Sequence, residues 1–221
     1  MQQVVGTFLY YVRAVDTTIL VDLNSIAIEK SNITEEIIKA VIQLLNYVAM
    51  HSEAITRYHA SGMILHTHSD ASYLSEPISK SRAGGYNYIS TASAVPDKAP
   101  LKQPSLNVPI HVECTTMRSF LASAMESELG ALFVNCQRGT ETRMALIEMG
   151  HAQPPTPAVT DNATGDGFVN DNIHQRRSRA IDIRFYWVRD RVRQGKFLVY
   201  WMAGEHNLSD YFTKHHPTIQ H

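Results

Sequence analysis

Four acidic residues carry the chemistry that can be read from this chain of 221 residues. Asp70 ends an apolar-rich strand in HTHSDAS, Glu128 lies in ASAMESELGAL, Asp161 ends a short strand in AVTDN, and Asp210 sits in NLSDYF. Taken singly, Asp70 and Asp161 have an ordinary use as turn caps, and Asp210 suits a helix N-terminus through the helix dipole. Glu128 is more informative. On a helix, Leu121, Met125, Leu129 and Leu132 define one apolar face, and Glu128 falls about 55° from its centre whereas Glu126 falls about 105° away. A carboxylate bordering a buried face needs a metal, a hydrogen bond or a cation; the plainer alternative is a partly exposed Glu whose stem packs on the core. If the four converged, they would repel one another and raise some of their own pKa values, and divalent cations would relieve that repulsion. Oxygen-only ligands favour Mg²⁺ or Mn²⁺ over zinc, and two such ions about 4 Å apart can position a water and stabilise a leaving oxygen in phosphodiester hydrolysis. That chemistry needs no nucleophilic side chain.

The elements that must position these residues can be read from periodicity. The first sixty residues are predicted helical, with apolar residues at three and four spacing and no Pro before Pro77. The clearest helix runs from about Thr34 to His51, striped by Ile37, Val41, Leu44, Leu45 and Val48, with Asn32 as its cap and Glu35 three residues on. From Met63 the pattern changes to three antiparallel strands, MILHTHSDASY, GGYNYIST and VPIHVECTTM. Between the second and third, Ala92 to Asn107 holds Pro96, Pro100 and Pro104 and reads as an exposed loop. Helices are expected at SFLASAMESELGALF and, separately, at TETRMALIEMG; HAQPPTP then breaks the chain before the short strand AVTDN. A basic helix from about His174 to Gln194, striped by Ile181, Phe185, Val188 and Val192, leads to the strand KFLVYWM and a closing helix NLSDYFTKHH. The order predicts an α/β fold, a mixed sheet with helices packed on it, and the carboxylates follow elements that can meet at one sheet edge.

Composition narrows the function classes. With 44% apolar residues the chain can bury a sizeable core, and 20 basic against 21 acidic residues exclude a histone-like excess, so any nucleic-acid surface is local. The apolar runs VVGTFLYYV and FLVYWM are well short of the roughly 20 residues of a membrane span. MQQVVG is not a secretory start, and Cys114 and Cys136 form no C-x-x-C pair, so a reducing intracellular setting is expected, with cytoplasm and nucleus equally open. His66 and His68 alternate with Asp70 on one strand face but lack a third zinc ligand at suitable spacing. Cys136, Trp187 and Trp201 lie in apolar patterns and are expected in the core.

These residues resemble the ribonuclease H domain of copia-type LTR retrotransposon polyproteins. HSDASY is similar to the family's first strand with its leading Asp, SKSRAGGYNYIS to its second strand, and ASAMESELGAL to its helix with the catalytic Glu. TDNATG is similar to the third acidic motif, RRSRAIDIRFYWVRDRV to the basic helix, and NLSDYFTK to the closing segment. The resemblance implies a ribonuclease H-like mixed five-stranded sheet with flanking helices over residues 61–221. It implies Asp70, Glu128, Asp161 and Asp210 as the catalytic and metal-binding set for two Mg²⁺ or Mn²⁺ ions, with Asp70 contacting both. The implied substrate is an RNA/DNA hybrid whose RNA strand is cut, leaving 3′-hydroxyl and 5′-phosphate ends. The family's Glu stands three residues before an Ala in a pattern like E-L-G-A-L, which selects Glu128 over Glu126.

Residues 1–60, with VGTFLYYVRAVD and EEIIKAVIQLLNYV, resemble the final helices of the preceding polymerase region, so this N-terminal helical segment is expected to be a remnant whose missing polymerase would be a partner. The polymerase's paired-Asp motif is nowhere in the chain, and Met1 is expected to fall inside a longer polyprotein. Cellular ribonucleases H carry a mobile His in a loop well before the last Asp, whereas here His206 stands only four residues before Asp210 and reads first as a loop residue. From His174 to Lys196 there are eight basic residues against two acidic, and Arg177, Arg184 and Arg191 share a face that could track a phosphate backbone, with Lys80 and Arg82 adding contacts. Hybrid selection would then rest on groove shape and 2′-hydroxyls, with little base readout. Two other readings stay open: an inactive retroelement remnant that at most binds nucleic acid, and an integrase or transposase of the same fold group that would cut DNA.

Overall fold

The computed structural model describes residues 2–29, 33–91, 106–118, 121–170 and 183–214. They fall into two compact units, one holding the residues up to Arg57 together with Lys214, the other Tyr58–Thr213. In the first unit α1 (Gln2–Ala14), a 3-10 turn at Thr17–Ile19, α2 (Leu20–Ile28) and α3 (Glu35–Met50) follow one another. Val12, Ile19, Leu20, Val21, Leu23, Ile26 and Leu44 are buried there. The Asp16 carboxylate accepts the Thr18 amide at 3.0 Å, which starts the 3-10 turn. The cap of α3 is Thr34, whose hydroxyl accepts the Ile37 amide, in place of the expected Asn32, which lies outside the described residues. Of the expected α3 stripe, Leu44 is buried and Leu45 exposed, so the buried face is narrower than the apolar one.

The second unit is built on a five-stranded sheet in the order β3-β2-β1-β4-β5. Its strands are β1 (Ile64–Glu76), β2 (Lys80–Ser90), β3 (Pro109–Thr116), β4 (Thr156–Thr160) and β5 (Phe197–Trp201). The first three pair antiparallel, and β1–β4 and β4–β5 pair parallel, so the sheet is mixed, as expected. Residues 92–105 of the expected loop lie outside the described residues. Its far end is fixed by Asn107, whose side-chain amide donates to the carbonyls of His59 and Ile89. Pro157 stands inside β4, where the Pro-rich run was expected to end before the strand.

Helix α4 (Ala124–Glu148) is one unbroken element of 25 residues where the sequence suggested two. Gly139, the natural place for a break, is instead a contact point: a Cβ there would meet the Phe197 ring at 3.1 Å, so the glycine lets the helix lie close on β5. A short helix not expected from the sequence, α5 (Ala163–Val169), follows β4, with the Asn162 side chain accepting the Gly165 amide at 2.8 Å. Gly165 and Gly167 hide it from a propensity reading. The described part of the basic helix is α6 (Ile183–Arg193); residues 174–182, with Arg177 and Ile181, lie outside the described residues. The closing segment is a pair of 3-10 turns, Gly204–His206 and Leu208–Phe212, and no α-helix.

The core between α4, α5, α6 and the sheet gathers Leu129, Leu132, Cys136, Ala158, Phe168, Phe185, Val188, Phe197 and Val199. Phenols and a thiol are buried around it. Burial pushes the Tyr200 and Tyr86 phenols each up to about 12, and raises the Tyr88 phenol and the Cys136 thiol further. The unfolded chain releases these protons from its ordinary values of 10.0 and 9.0 upward, while the folded chain holds them. Stability is therefore full below about pH 9 and falls as pH climbs through 10 to 12, by up to about 1.4 kcal/mol per pH unit for each group. Urea midpoints compared at pH 8 and pH 10.5 should show this loss, and Tyr200→Phe should reduce it.

Candidate functional site

Asp70, Glu128 and Asp161 each place a carboxylate oxygen within 4.8 Å of the others, from β1, α4 and the residue after β4. The parallel pairing of β1 with β4 makes Asp70 and Asp161 neighbours. His68 pairs with Val159, and two residues further on stand Asp70, still within β1, and Asp161, one residue past the end of β4. Their carboxylates therefore meet at the same end of the sheet.

Glu128 comes from the second turn of α4, and its start is defined by a reciprocal cap. The Ser123 hydroxyl accepts the Glu126 amide at 3.2 Å, and the Glu126 carboxylate accepts the Ala122 amide at 2.8 Å. Glu126 thus closes the helix end, while Glu128, between the buried Ser127 and Leu129, reaches β1 and accepts the Ala71 amide at 3.3 Å.

Asp70 is the most enclosed of the three, 3% exposed. It pairs in register with Gly84 on β2, where a Cβ would stand 2.5 Å from Thr213 and 2.7 Å from the Ser209 carbonyl. Because residue 84 is Gly, the closing 3-10 turn can lie over the sheet and bring Thr213 to Asp70, to whose carboxylate the Thr213 hydroxyl donates. Asn207 anchors the same segment, donating to the Ser69 carbonyl at 2.9 Å.

Asp210 is not among the three. Its backbone carbonyl accepts the Thr213 hydroxyl at 3.0 Å, so the Asp210 turn meets Asp70 through Thr213, and its carboxylate lies outside the 4.8 Å grouping. The expected closing α-helix would have set this residue differently from the tight turn that forms. His206 is exposed and stands 3.5 Å from the neighbouring Glu205 carboxylate.

His66 and His68 are both buried against the Tyr88 ring. His66 stacks on Tyr88 with ring centroids 5.2 Å apart. The His68 Nδ1 accepts the Leu208 amide at 3.2 Å; burial, then the neighbouring His66, push its pKa down to about 3, so it stays neutral. The donor set near Asp70 is all oxygen, with three carboxylates from three elements, and fits a hard divalent cation such as Mg²⁺ or Mn²⁺.

The expected phosphate contacts divide. Arg82 is 1% exposed and its guanidinium sits 2.7 Å from the buried Glu76 carboxylate, so it is an internal ion-pair partner and not a surface cation. Lys80 and Arg184 are partly exposed. Arg191 lies over the Trp187 ring at 5.0 Å and donates to the Gln194 side chain at 2.7 Å. Trp201, expected in the core, is 50% exposed, and its indole donates to the Asp161 carbonyl at 2.8 Å. Cys114 and Cys136 are both free and buried, and among the described residues no helix is long and apolar enough to cross a membrane.

No family model matches the chain, and no curated protein matches it. Among solved structures it is similar to a ribonuclease H1 from the halophilic archaeon Halobacterium salinarum NRC-1, at 11% identity over 66% of this chain and 90% of that one, with a TM-score of 0.40. A second is LC11-RNase H1, isolated from compost by a metagenomic approach, at 11% identity over 68% of this chain and 91% of that one, with a TM-score of 0.45. A third is the N-terminal ribonuclease H domain of a Mycobacterium tuberculosis protein, at 10% identity over 68% of this chain and 91% of that one, with a TM-score of 0.40.

Proposed function

We propose that this chain is a retrotransposon-derived ribonuclease H that cleaves the RNA strand of RNA/DNA hybrids, with Asp70, Glu128 and Asp161 holding two Mg²⁺ or Mn²⁺ ions. The observation that carries this reading is the convergence of three carboxylates from β1, α4 and the end of β4 within 4.8 Å. They are three of the four residues that the copia-type motifs implied. When bound, the cations supply an activated water and stabilise the charge on the leaving oxygen.

The chain's own groups hold this site in place. Asp70 is buried and fixed by the Thr213 hydroxyl, Glu128 is fixed by the Ala71 amide, and Asp161 directly follows Thr160, the last paired residue of β4. Ligands so anchored need little reorganisation when cations arrive. Asp210 enters this proposal as the residue whose turn delivers Thr213 to Asp70, and as a further carboxylate at the rim. Lys80, Arg184 and Arg191 are proposed to contact the hybrid backbone, and the N-terminal helices, residues 1–60, to be the tail of a polymerase region that is the domain's natural partner.

The test is cleavage of an end-labelled RNA/DNA hybrid in Mg²⁺, Mn²⁺ or EDTA, beside double-stranded DNA of the same sequence. The expected result is metal-dependent cutting of the RNA strand alone, abolished by EDTA. Cutting of the DNA duplex would identify a strand-transfer enzyme of the integrase or transposase kind instead. Folded protein that binds hybrid without cutting it in either metal would identify an inactive remnant.

A further inference from the structure

Trp201 occupies the last position of β5, paired in register with Thr160, the residue before Asp161. Half of its surface stays in water, so burial alone does not account for an indole there. Its Nε1 donates to the backbone carbonyl of Asp161 at 2.8 Å. The registered strand pairing ends at Thr160, opposite Trp201, and one further bond runs from the Met202 amide to the Thr160 carbonyl at 2.9 Å. On the far side of Asp161, the Asn162 side chain is committed to the Gly165 amide at the start of α5. The peptide carrying Asp161 is therefore a junction between a strand and a helix, and Trp201 bridges to it from β5.

The same segment approaches the carboxylate as well. A Cβ at Gly204 would stand 3.2 Å from Asp161 Oδ2, closer than an ordinary contact, so a side chain there would crowd the ligand oxygen. The stretch from Trp201 to Gly204 thus touches Asp161 at its carbonyl and comes close to it at its carboxylate.

We propose that Trp201 is a positioning residue for Asp161, its indole N–H fixing the strand-to-helix junction so that the carboxylate is aimed at Asp70 and Glu128, with Gly204 leaving the space this requires. The proposal rests on the reading of the three carboxylates as a divalent-cation site. Partners of metal ligands typically change metal affinity by about 10- to 100-fold when removed.

The test is Mn²⁺ binding by the purified full chain, measured by calorimetry without substrate, for the wild type, Trp201→Phe, Gly204→Ala and Asp70→Asn. Phe keeps an aromatic ring and removes the N–H; Ala adds the crowding methyl and keeps the N–H. Each should weaken Mn²⁺ by about 10-fold, while the metal-free melting temperature stays close to that of the wild type, a combination that a merely structural role would not produce. Unchanged Mn²⁺ affinity in Trp201→Phe, with affinity lost in Asp70→Asn, would overturn the role of Trp201 and leave the metal site standing. Absence of Mn²⁺ binding by the wild type would overturn both. Should Trp201→Phe fail to fold, Gly204→Ala carries the decision, and an unchanged affinity there overturns the proposal.

Discussion

Asp70→Asn should abolish hybrid cleavage while leaving the fold intact. Asn has the shape of Asp, and its side-chain oxygen can still accept the Thr213 hydroxyl, so the buried position stays filled and its hydrogen bond kept. What disappears is the negative charge at the centre of the carboxylate cluster. With two acids left to hold the cations, the rate should fall by at least about 100-fold, since the reaction depends on that charge to retain metal and aim the water. Circular dichroism and the urea midpoint should match the wild type to within about 1 kcal/mol. Full activity in a folded Asp70→Asn protein would sink the proposed function, because the cluster would then work without its most enclosed carboxylate.

Arg82→Ala should act in the opposite manner, on stability before activity. The guanidinium and the Glu76 carboxylate are 1% and 6% exposed and 2.7 Å apart. They tie the two strands of the β1–β2 hairpin just before its turn. That turn is strained: Leu74, Ile78 and Ser79 adopt φ of 54°, 59° and 52°, a left-handed conformation that costs energy in residues other than Gly, and most in β-branched Ile78. Removing one member of a buried pair leaves the other charge uncompensated, which costs about 3–5 kcal/mol. The melting temperature of Arg82→Ala should therefore fall well below that of the wild type. By contrast, a cation that serves only the hybrid backbone would leave stability unchanged on replacement and weaken hybrid binding in a salt-dependent way. A normal melt in Arg82→Ala with weakened hybrid binding would return Arg82 to the phosphate-contacting set.

Local patterns in the sequence carried the strands, the helical character of the N-terminal segment and the position of Glu128. Alternation in HTHSDAS and the helix face around Leu129 and Leu132 depend on neighbours a few residues away, and such signals survive in a bare sequence. The distinction between Glu126 and Glu128 was legible for this reason, since the two point in different directions on one helix, one to the cap and one to β1.

What depends on partners distant in the chain was not legible. Gly139 looks like a helix break until the Phe197 ring is seen against it, and the glycine of α5 looks like loop until the Asn162 cap is in place. Arg82 reads as a surface cation because the sequence cannot show that the hairpin folds Glu76 onto it out of water. Asp210 reads as the last member of the acidic set; the sequence does not show that its segment forms a 3-10 turn lying close on Gly84, which presents Thr213 to Asp70. Trp201 reads as core because apolar patterning reports the type of a side chain and not which way the end of a strand turns. The sequence by itself determined which residues could do metal-dependent chemistry and the elements that carry most of them. Only the tertiary structure decided which of those residues meet, because burial, ion pairing and close backbone approach are properties of pairs that the chain brings together from far apart.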